Sequence, residues 1–165
     1  MKKYELTAEF IEKWGKKLFK IKALISFGSV EAGELGGYIE KEDNLAHDGN
    51  AWVYGNAEVC GNARVYGNAW VCGNAEVYGN ADYLLIGRIG SRFSFTTFFK
   101  NKDKGITVSC GCFLGTIAEF RAKVTDTHGN NKHAKMYNLA ADMAELQILG
   151  EEYFDKLNTN KSEPF

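Results

Sequence analysis

The chain has 165 residues, 20 of them basic and 21 acidic, for a net charge of -1. That length suits one domain or a solenoid with end caps, and near-neutrality leaves no global electrostatic case for DNA, RNA or a membrane surface as partner. No run is apolar for long enough to span a bilayer and the start, MKKYELTAEF, lacks a signal-peptide core, so a cytoplasmic location is expected.

Residues 1–34 alternate apolar and basic side chains through Lys17, Leu18, Phe19, Lys20, Ile21 and Lys22, with Trp14-Gly15 as a turn candidate. The period suggests a hairpin with one wet face, an N-terminal β cap; a helix over Ala8–Lys20 is the competing reading. Leu35 and Ile39 then begin a degenerate form of the repeat that follows. His47 stands where later repeats carry Val, which makes it a candidate general base. The plainer reading is a capping histidine satisfied by Asp43, Asp48 or a backbone group.

From Gly49 to Asp82 one six-residue phrase recurs: GNAWVY, GNAEVC, GNARVY, GNAWVC, GNAEVY and a closing GNAD. One large and one small apolar residue per phrase can point inward, Val53, Val59, Val65, Val71 and Val77 each followed by Ala57, Ala63, Ala69, Ala75 and Ala81. Gly and Asn tolerate the dihedrals of a corner. The pattern resembles the hexapeptide-repeat left-handed β-helix, in which three phrases make one triangular coil. The resemblance implies a mainly β fold, a left-handed parallel β-helix of about three coils over residues 35–88. It also implies stacking of residues eighteen apart, Trp52 under Trp70 and Glu58 under Glu76, with asparagine ladders between coils. Trp52, Trp70, Tyr54, Tyr66 and Tyr78 would then form an outward aromatic face, and homotrimerisation, common in this fold, is the partner it implies.

After Asp82 the phrase dissolves. Phe93–Lys100 and Ile106–Cys112 read as a hairpin closed by Asn101–Gly105. Thr116 and Glu119 have capping-box spacing ahead of Ile117, Phe120 and Val124, so a helix starts at Thr116 and stops near His128-Gly129. A second helix is expected over Lys132–Leu149, with Met136, Leu139, Ala140, Met143 and Leu146 on its apolar face. Residues 89–150 thus form a C-terminal α+β cap of a hairpin plus two helices, and 151–165 a short helical turn and loose tail.

The best ligand candidate is the junction Ser109–Thr116. Gly111 and Gly115 let backbone approach a ligand beside Cys112 and Thr116, and the helix start offers free N–H groups to an anion. Ser91, Arg92, Thr96 and Thr97 come from the neighbouring strand; Arg92 supplies charge, and Phe93, Phe95, Phe98 or Phe99 could stack a base. The mix suits a phosphate-bearing, nucleotide-like molecule. The plainer reading is a tight strand-to-helix turn with core phenylalanines. Cys60, Cys72, Cys110 and Cys112 read as reduced thiols, and neither Cys110 with Cys112 nor His128 with His133 makes a metal motif, so no metal or cofactor is expected.

Beyond the fold, LFKIKAL at Leu18–Leu24, GGYIEKEDNLAHDGNAW leading to Trp52, the GNA phrases, and Gly111–Gly129 resemble a group of small proteins carried by bacteriophages and their hosts. That resemblance implies a non-catalytic, oligomeric protein of the bacterial cytoplasm that sequesters a nucleotide signal of host defence. The alternatives are a hexapeptide-family acyltransferase with His47 as base, and a structural oligomerisation module.

Overall fold

The computed structural model describes residues 1–150 together with Tyr153 and Asp155, so the expected tail over 151–165 lies almost wholly outside the described residues. The chain opens with an antiparallel hairpin, β1 (Tyr4–Lys13) and β2 (Lys16–Ala23), with Lys13 opposite Lys16. Between them Trp14 and Gly15 have φ of 48° and 74°, the consecutive left-handed pair that matches a two-residue turn to strand twist. The competing helix over Ala8–Lys20 does not form. A period of two leaves its apolar residues on no helical stripe.

Strand β3 (Leu35–Ile39) pairs antiparallel with β2 and parallel with β5 (Glu58–Val59), which pairs with β7 (Glu76–Val77). The resulting five-stranded sheet has the order β1-β2-β3-β5-β7 and is mixed. A separate parallel pair joins β4 (Trp52–Val53) to β6 (Trp70–Val71). Within the repeat, Trp52 faces Trp70 and Glu58 faces Glu76. The five repeat valines from Val53 to Val77 are fully buried, as are Ala57, Ala69 and Ala75, with Ala63 at 1% exposure. Ala81, expected inside, is exposed because the chain turns there toward the next sheet. Gly49 shows why the corner needs glycine: its φ is 68°, and a Cβ would sit 2.5 Å from the Gly67 carbonyl oxygen of the phrase stacked on it.

The expected left-handed parallel β-helix of about three coils is therefore corrected. Parallel pairing is confined to short contacts, while the sheets that organise the molecule are mixed or wholly antiparallel. Two antiparallel strands of the N-terminal hairpin extend one edge of the repeat. At the other end, loss of the Gly-Asn corners after Asn80 releases the chain into long strands, which pair with their neighbours as hairpins.

The second sheet is antiparallel in the order β11-β10-β9-β8, from β8 (Tyr83–Ile89), β9 (Ser94–Lys100), β10 (Ile106–Cys110) and β11 (Phe113–Thr116). The expected hairpin is its centre, and the sequence reading missed a strand on each side. Helix α1 (Ile117–His128) starts in a capping box in which Thr116 Oγ1 accepts from the Glu119 N–H at 3.2 Å and Glu119 Oε2 accepts from the Thr116 N–H at 2.8 Å. It ends at Gly129, φ 55°. Helix α2 (Lys132–Leu149) begins at Asn131, whose side chain accepts from the His133 and Ala134 N–H groups.

Of its expected apolar face Ala140 is buried, but the four large residues are not. Met136, Leu139, Met143 and Leu146 are 40% to 63% exposed, whereas Ala134, Tyr137, Ala141, Ala144 and Ile148 are buried. Both sets recur at spacings of three and four. The small side chains face inward because they let the helix axis approach the sheet and α1 closely.

The sheet β8–β11 is a middle layer. Phe99 belongs to the core of the repeat, and its neighbour Phe98 to a core formed with Phe120, Tyr137 and Ala141 of the helices. Successive side chains of β9 thus serve opposite faces. Among the described residues, no helix is long and apolar enough to cross a membrane.

Candidate functional site

Antiparallel order places the β8–β9 turn and the β10–β11 turn at the same end of the sheet. The first turn carries Ser91, Arg92 and Phe93. The second is Gly111-Cys112, between the paired residues Cys110 and Phe113. Gly111 has φ of 60°, the dihedral that a two-residue hairpin turn asks of its first central residue. The two turns touch: Arg92 Nη1 lies 3.5 Å from where a Gly111 Cβ would stand.

On the helix side of this end is a cavity of about 240 Å³. Its wall from the sheet includes Ser91, Arg92, Cys110, Gly111 and Cys112, and its wall from the helices Phe120, Lys123, Thr127, His128 and Tyr137. Arg92 and Lys123 bring fixed positive charge, and none of the lining residues is a carboxylate. Lys123 does have Asp126 at 4.0 Å, an exposed pair that water screens. The aromatic wall is tied together. Phe120 meets Tyr137 edge-on at 5.7 Å, and the His128 ring stacks on Tyr137 at 5.7 Å and 27°. Burial first, then nearby Cys110, pushes the Tyr137 hydroxyl above its ordinary pKa, with Arg92 acting in the opposite direction. Tyr137 is therefore a neutral hydroxyl at physiological pH.

On the repeat side of the same sheet end is a second cavity, about 200 Å³, lined by Asn68, Trp70, Ser94, Phe95, Thr97, Ser109 and Gly111. Thr97 Oγ1 accepts from the Trp70 backbone N–H at 3.3 Å, which ties strand β9 to the repeat there.

Of the residues expected at a ligand site, the structure brings Ser91, Arg92, Gly111 and Cys112 together at the cationic cavity and puts Thr97 at the neutral one. Thr96 is fully buried, its hydroxyl donating to Cys110 Sγ at 3.2 Å. Gly115 and Thr116 line neither cavity. The expected strand-loop-helix junction does not exist, because β11 runs between the Gly111-Cys112 turn and the helix. Thr116 lies opposite Thr107, toward the other end of the sheet, and the helix start is closed by its own capping box. Lys123, Thr127 and Tyr137 were missed, and His128 was weighed only with His133 as a metal ligand. The signal available was the spacing of Lys123 and Thr127, one helical turn apart and beside the buried stripe of Phe120 and Val124.

The five aromatics expected on one outward face are dispersed. Trp52 is fully buried between Tyr4 and Phe27, at ring distances of 6.1 and 5.3 Å. Trp70 leans on Tyr54 at 5.2 Å. The Tyr78 hydroxyl donates to Glu58 at 3.0 Å while its ring meets Trp14 at 4.8 Å. Tyr66 alone is more than half exposed, 54%. His47 lines neither cavity: its Nδ1 accepts from the Lys3 backbone N–H at 3.1 Å, and its ring stacks on Tyr4 at 4.3 Å. Its Nε2 is buried with no hydrogen bond, 3.7 Å from Glu42 Oε2. Among the described residues no three His, Cys, Asp or Glu side chains are placed to hold a metal ion.

The mixed and antiparallel sheets already remove the structural basis of the family resemblance drawn from the repeats. No family model matches the chain, and no curated protein sequence matches it.

Proposed function

We propose that this protein is a non-catalytic binder of a phosphate-bearing, nucleotide-like small molecule, held in the cationic cavity at the turn end of the second sheet. One observation carries the reading: the lining includes Arg92 and Lys123 and no carboxylate, beside the aromatic faces of Phe113, Phe120 and Tyr137. An anion gains charge-assisted hydrogen bonds from the guanidinium, and a ring attached to it finds apolar walls. Cys112 is exposed in the same cavity wall as Arg92. Acyl transfer by His47 has no support, since that imidazole is taken up by Lys3 and Tyr4 away from either cavity.

Sequestration of a nucleotide signal of bacterial defence is the sharpest form of this proposal. It is tested by incubating the protein with lysate of defence-activated bacteria, filtering, heating the retained protein and identifying released molecules by mass spectrometry. An intact nucleotide retained by the native protein and lost in Arg92→Ala is the expected result. A chemically altered nucleotide, or equal retention by Arg92→Ala, overturns it.

A further inference from the structure

We infer that the two cavities are the halves of one site, the neutral cavity taking the nucleoside of a nucleoside diphosphate whose phosphates lie against Arg92 in the cationic one. This rests on the binding reading above and adds to it where the base sits and which residues select it.

The cavities are on opposite faces of the second sheet, but both reach its turn end, where Ser94 and Gly111 belong to each lining. Gly111 has no side chain to wall them apart, and the Arg92 guanidinium lies beside that gap, its Nη1 3.5 Å from where a Gly111 Cβ would stand, so a ligand crossing the Gly111 backbone meets Arg92 on the way. Each cavity alone, about 200 and about 240 Å³, is smaller than the roughly 300–1,000 Å³ of ordinary small-molecule sites. A ligand occupying both has the room that neither gives separately.

Their linings divide the chemistry. The neutral cavity has no ionisable side chain: Trp70 and Phe95 line it with aromatic rings, Asn68 with an amide that both donates and accepts, and Thr97 and Ser109 with hydroxyls. Ring faces with paired donor and acceptor groups suit a nucleobase, which stacks and hydrogen-bonds along its edge. A charged group placed there would find no counter-ion among the lining residues. On the far side of Gly111, Arg92 and Lys123 receive the phosphates and reject a cation. The order base, then sugar over Gly111, then phosphates, follows from those two linings.

The test is isothermal titration calorimetry with adenosine and guanosine diphosphates and with pyrophosphate. The variants are Asn68→Ala, Trp70→Leu and Arg92→Ala, each first checked for a native circular dichroism spectrum. The partly exposed Asn68 guards against the event that Trp70→Leu fails to fold. Expected for Asn68→Ala and Trp70→Leu is a loss of fivefold or more in affinity for at least one diphosphate, with pyrophosphate affinity within twofold of the native protein. Arg92→Ala should weaken both probes. Unchanged diphosphate binding in Asn68→Ala and Trp70→Leu, with loss in Arg92→Ala, overturns the two-cavity inference and leaves the anion site standing. No millimolar or tighter binding of any probe by the native protein overturns both.

Discussion

Gly90 is buried beside the cationic cavity with φ of 74°, and a Cβ added there would fall on the Tyr137 hydroxyl and ring carbons. Gly90→Ala therefore meets two separate costs. The left-handed backbone disfavours any Cβ by about 1–2 kcal/mol, and forcing a methyl into packed space costs about 1–3 kcal/mol, so a total loss of about 2–5 kcal/mol is expected. Only the second part depends on Tyr137. Urea unfolding of native protein, Gly90→Ala, Tyr137→Leu and the double variant separates them, because leucine lacks the hydroxyl and the far ring carbons. The cycle should return a favourable coupling of about 1–3 kcal/mol and leave the backbone cost in place. Gly90→Ala should also weaken any cavity ligand, since Tyr137 can yield only by moving against Phe120 and His128. A loss under 1 kcal/mol, or strict additivity with Tyr137→Leu, would refute the packing argument.

The N-terminal hairpin is held to the repeat by Lys13, whose Nζ lies 2.6 Å from Glu58 and 3.1 Å from Glu76, with Glu58 only 3% exposed. Burial alone would lower the Lys13 pKa, and the hydrogen bonds that its ammonium donates to the two carboxylates more than reverse this. Lys13→Met leaves a buried charge with Lys102 at 3.5 Å as its remaining cation, and should cost about 3 kcal/mol; adding Glu58→Gln should recover most of it in denaturant melts. Equal stability of Lys13→Met and native protein would count against this. Lys3, 1% exposed, donates to the Ala51 carbonyl at 2.8 Å and lies over the Phe27 ring at 4.7 Å. Burial, partly offset by Asp48, brings its pKa from 10.5 to about 8. Between pH 8 and 10 the unfolded chain holds a proton on Lys3 that the folded chain does not, so Lys3 contributes stability that rises with pH there, by up to about 1.4 kcal/mol per unit. It is opposed from about pH 9 by the raised Cys72 and Cys60 thiols, which ionise first in the unfolded chain. Above that window Tyr4, Tyr78 and Tyr83, raised mainly by burial, pull the other way as they ionise in the unfolded chain. Lys3→Met should flatten the rise, and parallel profiles for the two proteins would sink the assignment. Burial pushes the Cys72 thiol up to about 11 and raises Cys60 as well, whereas Cys112 is exposed in the cavity wall. A maleimide at pH 8 should label Cys112 first by peptide mapping, and equal rates at Cys72 would contradict the buried repeat core.

Several local signals were read correctly where one short stretch contains its own cause, though the Gly111-Cys112 hairpin turn was not. Trp14-Gly15 turns the first hairpin because those two residues accept left-handed dihedrals together. Thr116 and Glu119 start α1 because each bonds the other's backbone. The six-residue period placed the five valines and Ala57, Ala63, Ala69 and Ala75 inside, though not Ala81, and the Trp52–Trp70 pairing that the repeat resemblance implied is present. What the period could not determine was whether the repeat would dominate the fold. Strand direction depends on which partner the flanking chain supplies, and β1, β2 and the β8–β11 sheet supplied antiparallel ones.

The candidate site divides the same way. Arg92, Gly111 and Cys112 were legible because glycine and charge at strand ends mark approachable turns, and antiparallel pairing then brings two such turns to one edge. Lys123, His128 and Tyr137 enter only through the packing of α1 and α2. There an alanine stripe allowed closer approach than the larger Met136, Leu139, Met143 and Leu146 stripe that composition favoured. The sequence by itself determined the local geometry of turns, caps and repeat corners, since their energies lie within a few residues. Tertiary structure alone decided which faces meet, because burial is a property of surfaces that the chain brings together from far apart.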